Sequence, residues 1–252
     1  MHQPDIINPE EHELTFRTQI SHWWYRSRRN TMSVLIERYI DLSKVPLIAD
    51  VGCGPGTNTG FFRQYGIVTA FDGDDYAMSF IKKQWNDQIP VKKWVYPEPL
   101  DKKYGLIIMN DVREHLRDDS GIIEWLKDNL AEGGYALITV PSNKWLWSEM
   151  DDVMGHYRRY NRKAVQKMVH GELEIIRLSY YNFLMFPAKI IFVLFSRLKQ
   201  LVFPKNTKKT YNEVPSAPLS FMFKIITSIE TALIEYTNLP FGAGLVGLFR
   251  KK

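Results

Sequence analysis

The run Leu47-Ile48-Ala49-Asp50-Val51-Gly52-Cys53-Gly54-Pro55-Gly56 constrains this chain most, because a largely apolar stretch breaks at once into three alternating glycines. An apolar run of this length bounded by Gly and Pro reads as a buried strand. Glycines directly after it let the backbone turn at positive φ and approach a ligand closely. A dinucleotide fingerprint sets its third glycine three residues after the second, seating a pyrophosphate at a helix N-terminus. Here the third follows after two, so the spacing Asp-x-Gly-x-Gly-x-Gly points to a nucleotide-like ligand other than NAD.

A second β-rich run, Ile67-Val68-Thr69-Ala70-Phe71, ends at Asp72, twenty residues after Gly52. An acid at a strand tip can accept hydrogen bonds from both ribose hydroxyls. Asp72-Gly73-Asp74-Asp75 could equally begin a turn, but the glycine loop upstream favours the ligand role. The candidate cofactor set is Asp50, Gly52, Cys53, Gly54, Gly56, Asp72, Gly73, Asn110 and Asp111. Cys53 is the single cysteine. It excludes an intrachain disulfide framework, fits a reducing compartment, and reads as a small packing residue rather than a nucleophile.

Strands and helices alternate beyond this point. A helix is expected from about Tyr76 to Trp85, a third strand near Val91–Val95, and an uncharged, fully buried fourth strand at Tyr104–Met109. Helical residues from about Ile122 to Leu130 follow, with Gly133-Gly134 as the C-cap, and then a fifth strand at Tyr135–Pro141. A helix from Arg162 to His170 and an alternating strand Leu173–Leu178 come next. The pattern implies α/β class with a doubly wound, mostly parallel seven-stranded sheet. With 252 residues the chain can form one large domain with appendages. The expected division is an N-terminal helical lid over residues 1–44, a core over 45–182, a helical cap over 183–239 and a closing strand over 240–252.

The start, Met1-His2-Gln3-Pro4-Asp5, lacks a secretory pattern, so a cytoplasmic protein is expected. The net charge of +5 suggests an anionic partner: a nucleic acid, a phosphorylated substrate or a membrane surface. The segment Phe183–Phe203 is strongly apolar but interrupted by Pro187, Lys189, Arg197 and Lys199, short of an uninterrupted span of about 20 apolar residues. It reads either as an interfacial helix at the inner membrane face, with Lys205, Lys208 and Lys209 nearby, or as a substrate-covering helix. Pro204–Pro218 reads as a loop, with a second apolar helix from about Leu219 to Tyr236.

Candidate chemistry clusters after strands four and five, at the carboxyl edge where open α/β sheets bind ligands. Asn110-Asp111-Val112-Arg113-Glu114-His115 supplies His115 as a base of near-neutral pKa. Asp111, Glu114 and His115 could instead converge on a divalent metal, or Glu114 and His115 could order the glycine loop. The later stretch holds Trp147, His156, Tyr157, Arg158 and Arg159. His156 is a second candidate base, the aromatics could wall an acceptor pocket, and the arginines could clamp an anion. Trp24 and Arg28, within Trp23-Trp24-Tyr25-Arg26-Ser27-Arg28-Arg29, are further candidates for acceptor contact, in a segment placed to cover the cofactor.

Asp50-x-Gly52-x-Gly54-x-Gly56, Asp72, Asp111-x-x-Glu114-His115, Leu130-x-x-Gly133-Gly134 and Val140-Pro141 together resemble the class I S-adenosylmethionine (SAM)-dependent methyltransferases over about residues 45 to 180. The wider frame, through Gly155-His156-Tyr157-Arg158-Arg159-Tyr160 to Leu239-Pro240-Phe241-Gly242, looks like a bacterial subgroup associated with surface-polysaccharide and secondary-metabolite pathways. The resemblance implies a Rossmann-like fold that binds S-adenosyl-L-methionine and releases S-adenosylhomocysteine. It also implies O-methylation of a small-molecule or lipid-linked acceptor such as a sugar, a phenol or a secondary metabolite.

The Glu-His element is similar to that of ubiquinone-pathway and RNA 2′-O-methyltransferases, whose related residues bind a divalent metal. Here Asp111 stands in place of the first glutamate, and a further metal histidine exists only if it is His156, so magnesium is not expected. After strand three, where many members carry an acid, this chain has Tyr96-Pro97-Glu98-Pro99. An RNA 2′-O-methyltransferase and a non-catalytic SAM-binding protein are the competing expectations. Dispersed basic residues and the lack of a recognisable RNA-binding module argue against nucleic acid, and the intact glycine loop argues against a non-catalytic fold.

Overall fold

The computed structural model describes residues 9–202 and 215–252. The expected features at Met1–Asp5 and over most of Pro204–Pro218, with Lys205, Lys208 and Lys209, lie outside them. Seven strands form one sheet: β1 Leu47–Val51, β2 Ile67–Asp72, β3 Val91–Lys93, β4 Tyr104–Asn110, β5 Leu130–Pro141, β6 Leu173–Tyr181 and β7 Gly244–Lys251. Their order is β3-β2-β1-β4-β5-β7-β6. β1 through β5 run parallel, and β7 lies antiparallel between β5 and β6. This is the doubly wound, mostly parallel arrangement expected from the sequence.

β4 shows why the central strands read so plainly. Tyr104 through Met109 are all buried, so helices cover both faces and no polar alternation is needed. The strand order reverses between β1 and β4, and the crevice outside their carboxyl ends is where an open α/β sheet receives a ligand. Gly52 follows β1 there, and Asn110 and Asp111 end β4.

Two helices precede β1: α1 Pro9–Ser21 and α2 Trp23–Tyr39. Arg28 of α2 is paired with Asp111, bringing this helix to the carboxyl edge. Between strands run α3 Thr57–Phe62, α4 Asp75–Gln84, α5 Ile122–Asn129, α6 Glu149–Val153 and α7 Arg162–Val169. Local caps set several starts. Asp74 accepts from the Tyr76 and Ala77 N–H groups at α4, and Asn161 from Ala164 N–H at α7. α8 Phe186–Val202 and α9 Ala217–Tyr236 fall between β6 and β7. α9 packs beside α2, where the Tyr39 hydroxyl donates to the Glu235 carbonyl at 2.9 Å.

Gly133 and Gly134 do not cap α5. Leu130 is already extended after Asn129, and both glycines belong to β5, beside the register irregularity between Tyr104 and Leu106. A Cβ on Gly134 would stand 2.8 Å from the Ala131 carbonyl oxygen. Asn129 replaces the expected cap: its Oδ1 accepts from Leu100 N–H at 2.6 Å, and its amide donates to the Trp125 carbonyl at 2.7 Å.

Candidate active site

The glycine turn is latched to the tip of β2. Gly52 N–H donates to the Phe71 carbonyl at 2.8 Å, and Gly54 N–H to Asp72 Oδ2 at 2.7 Å. Asp74 N–H reaches the other Asp72 oxygen at 2.9 Å. Asp72 is therefore a turn-former as well as a ribose candidate, since each oxygen keeps a further lone pair. Burial raises its pKa. Gly73 follows it, exposed. A Cβ on Gly54 would meet no atom within 4 Å, so the turn opens to free space where a ligand would lie. Asp50 sits beneath the turn, fully buried, and accepts from the Thr59 hydroxyl at 2.6 Å. Burial pushes it up to about 7 against that hydrogen bond, with the Asp72 charge adding to the rise. Cys53 is buried and its thiol is pushed well up, which fits packing rather than nucleophilic chemistry.

At the end of β4 the backbone turns through Asp111, in the left-handed region at φ 55°, into a 3-10 turn at Arg113–His115. Thr139 lies within hydrogen-bond reach of both side chains, its Oγ1 2.5 Å from Asn110 Oδ1 and 2.9 Å from Asp111 Oδ1. The other Asp111 oxygen binds the buried Arg28. Asp111 thus turns away from Glu114 and His115 toward Arg28. The alternative in which Asp111, Glu114 and His115 converge on a metal is thus not the grouping that forms, and Arg28, a candidate for acceptor contact, has its guanidinium on Asp111.

His156 takes the place expected of Asp111. Glu114, His115 and His156 each offer a ligand atom within 4.8 Å of the others, and the two imidazoles meet edge-on at 4.9 Å between centroids. His156 Nδ1 lies 2.9 Å from Asp151 Oδ1. A carboxylate can only accept, so Nδ1 carries the proton, and in the neutral tautomer Nε2 presents a lone pair. Nε2 is buried with no hydrogen-bond partner among the described residues, as are both Glu114 carboxyl oxygens. Burial pushes Glu114 up to about 8 despite Arg28, Arg113 and Arg159 nearby. His115 keeps an exposed outer edge, but the protein around its inner side, and then His156, push it down to about 4. Neither carboxyl oxygen of Glu114 binds the glycine loop; the link between the two turns is packing, through Val112 against Gly52.

Arg158 and Arg159 are held by different carboxylates. Arg159 donates to both Asp151 oxygens at 2.7 and 2.9 Å and to the Ser142 carbonyl at 3.0 Å. Arg158 binds Asp119, which also accepts from the Tyr160 hydroxyl at 2.8 Å and pairs with Arg113. Each guanidinium has a carboxylate of its own, on separate elements. Trp24 packs against Leu146, Phe186 and Val193. The Trp147 indole donates to Asp152 at 3.0 Å. The Tyr157 side chain is exposed, while its N–H donates to the Glu114 carbonyl at 2.8 Å. After β3, the Glu98 carbonyl accepts both the Trp94 and Trp125 indoles, at 2.7 and 2.8 Å.

Asp151 and Asp119 are the residues that sequence reasoning missed. A signal existed for Asp151. Ser148-x-x-Asp151 is a capping-box spacing, and the box forms at α6, with Ser148 N–H donating to Asp151 Oδ2 at 2.9 Å.

A family described as Methyltransferase domain matches residues 17–172, more than half of the chain. A trans-aconitate 2-methyltransferase of Rhizobium rhizogenes is 30% identical over 111 residues, which span 41% of this chain and 42% of that protein. A homologue from Rhizobium etli is 32% identical over 114 residues, spanning 40% and 43%. The chain thus matches less than half the length of these curated relatives. Among solved structures, the N-methyltransferase NodS of Bradyrhizobium japonicum, in complex with S-adenosyl-L-homocysteine, aligns over 90% of this chain and 87% of its own at 13% identity and a TM-score of 0.51. The geranyl diphosphate C-methyltransferase of Streptomyces coelicolor aligns over 88% and 79% at 12% identity and a TM-score of 0.55. These structural likenesses concern the fold.

Proposed function

The chain belongs to the class I methyltransferase family, and from that premise we propose that it transfers the methyl group of S-adenosyl-L-methionine to an oxygen of a small or lipid-linked acceptor, with His156 as the base. The trans-aconitate 2-methyltransferase relatives support a small-molecule acceptor. The observation that carries the cofactor is the Gly52–Gly56 turn, with Gly54 facing open space and its N–H held by Asp72. That turn would hold the methionyl part of the cofactor and Asp72 the ribose. When bound, S-adenosylmethionine supplies an electrophilic methyl group on a sulfonium.

The rest is work for the protein's own side chains. A hydroxyl is a weak nucleophile until its proton is taken, and a positioned imidazole takes it. The Asp151 carboxylate holds the Nδ1 proton of His156, so that Nε2 is free to accept; it then stabilises the imidazolium that forms, as in other carboxylate–imidazole pairs. Arg159 fixes Asp151 with two hydrogen bonds. The Gly52–Val112 contact joins the cofactor turn to the Glu114-His115 turn.

A second reading rests on the Glu114/His115/His156 convergence. With Asp151 orienting His156 from behind, these three would hold a divalent cation, which would polarise the acceptor oxygen.

Calorimetric titration with S-adenosylmethionine and S-adenosylhomocysteine tests the cofactor. Micromolar binding is expected for the natural protein and none for Gly54→Val, which fills the open space above the turn. Equal affinity in both proteins overturns the assignment. Labelled methyl transfer into glycan, lipid and RNA fractions then identifies the acceptor.

A further inference from the structure

α9 is amphipathic in the inverted sense. Its buried side carries Thr227, Glu230 and Thr231 beside Ile234, while Phe221, Ile225 and Ile229 are 64%, 47% and 53% exposed. The inward polar groups are satisfied. The Thr227 and Thr231 hydroxyls each donate at 2.8 Å to a carbonyl one turn back, and Glu230 accepts the Asn182 and Leu184 N–H groups. A helix on a water-facing domain turns its apolar stripe inward. Here that stripe faces out.

α8 starts just after the backbone that Glu230 of α9 holds, and it too turns apolar residues outward. Phe186 and Val193 are buried, whereas Ile191, Phe195 and Leu198 are 68%, 66% and 60% exposed. Their spacing places them on one face of the helix. Exposed apolar side chains scattered singly need no explanation, but a stripe of them along one face of each of two helices marks an interaction surface.

Charge selects the occupant. In the sequence, seven basic residues stand between Phe183 and Ile229 against one acid, Glu213, and among the described ones Arg197 and Lys224 are exposed while Lys189 is half-buried. A second copy of this chain would bring the exposed Arg197 and Lys224 against like charges, and water would leave the apolar stripes uncovered. An anionic bilayer satisfies both the charge and the apolar residues. We propose that the outer face of α8 and α9 docks this protein on an anionic lipid surface, with the exposed Phe, Leu and Ile side chains seated among the acyl chains and Arg197 and Lys224 at the headgroups. α9 is 20 residues long, enough by length to cross a membrane. Its polar side is packed on the domain, so it lies along the bilayer. Arg197 of α8 donates to the Trp145 and Trp147 carbonyls, so the docking face adjoins the loop that leads to His156.

The test uses the whole chain and is independent of activity. Flotation is measured with vesicles of phosphatidylcholine alone and of an equimolar phosphatidylcholine–phosphatidylglycerol mixture. Binding at least about tenfold tighter to the anionic vesicles, weakened by salt, is expected. Phe195→Gln with Ile229→Gln should lower it about tenfold while leaving the thermal melt unchanged. Should that pair melt early, Leu198→Gln with Ile225→Gln carries the same test. Three results overturn the proposal: no flotation with either vesicle, variants that float as the natural protein does, or a dimer in sedimentation velocity that the variants dissociate. The last would assign the face to a second copy.

Discussion

Gly52 approaches Val112 so closely that a Cβ on it would come within 2.5 Å of the valine Cγ2. Gly52 also holds φ at +69°, where L side chains are strained. The turn after β1 and the turn after β4 thus share one contact that only glycine permits.

Gly52→Ala should therefore destabilise the fold by about 2–4 kcal/mol, combining an unfavourable φ with overpacking. Val112→Ala added to it should return part of that loss. Urea denaturation of the two variants checks both, and full stability in Gly52→Ala would show that the contact relaxes freely.

Asp50 gives a pH dependence of known sign. Its pKa is raised by burial to about 7, so between its ordinary carboxylate value and that point the folded state holds a proton that the unfolded state has released. Stability should fall as pH rises through this window, by up to about 1.4 kcal/mol for each pH unit. Asp50→Asn keeps an acceptor for Thr59 and should remove Asp50's share of that slope, leaving the one that Glu114, pushed up to about 8, adds with the same sign. Thermal melts from pH 4.5 to 8 compare the two.

If His156 is the base, His156→Ala should lower turnover about 10²–10⁴-fold while sparing SAM affinity. Asp151→Asn should cost a comparable factor by releasing the Nδ1 tautomer. His115→Ala should cost less. Greater sensitivity at His115 than at His156 would reverse their roles.

The base reading also expects turnover to survive EDTA. Loss of activity on chelation, restored by magnesium or manganese, would favour the cation reading at Glu114, His115 and His156.

The elements were legible wherever one local cause dominates. Tyr104–Met109 reads as a buried strand because nothing in it is charged, and the structure extends it by one residue to Asn110. Asp74 starts α4 through hydrogen bonds to residues two and three positions ahead. Gly133-Gly134 misled for the opposite reason. A glycine pair after a helix looks like a cap, but Gly134 answers to Tyr104 and Gly105 on the neighbouring strand and Gly133, at φ +69°, lies beside the Arg250 guanidinium.

The site divides in the same way. The sequence by itself determined the glycine turn, the acid at the tip of β2 and the presence of two histidines near the carboxyl edge, because strand periodicity and turn chemistry act over a few residues. The tertiary structure alone decided which charges pair. Arg28 reaches Asp111 across 83 positions and Arg158 reaches Asp119 across 39, and these pairings give three candidate ligand residues partners within the protein while His156 joins Glu114 and His115. Buried charges must find partners wherever the fold places them, and the distance between those partners along the chain leaves no periodic trace.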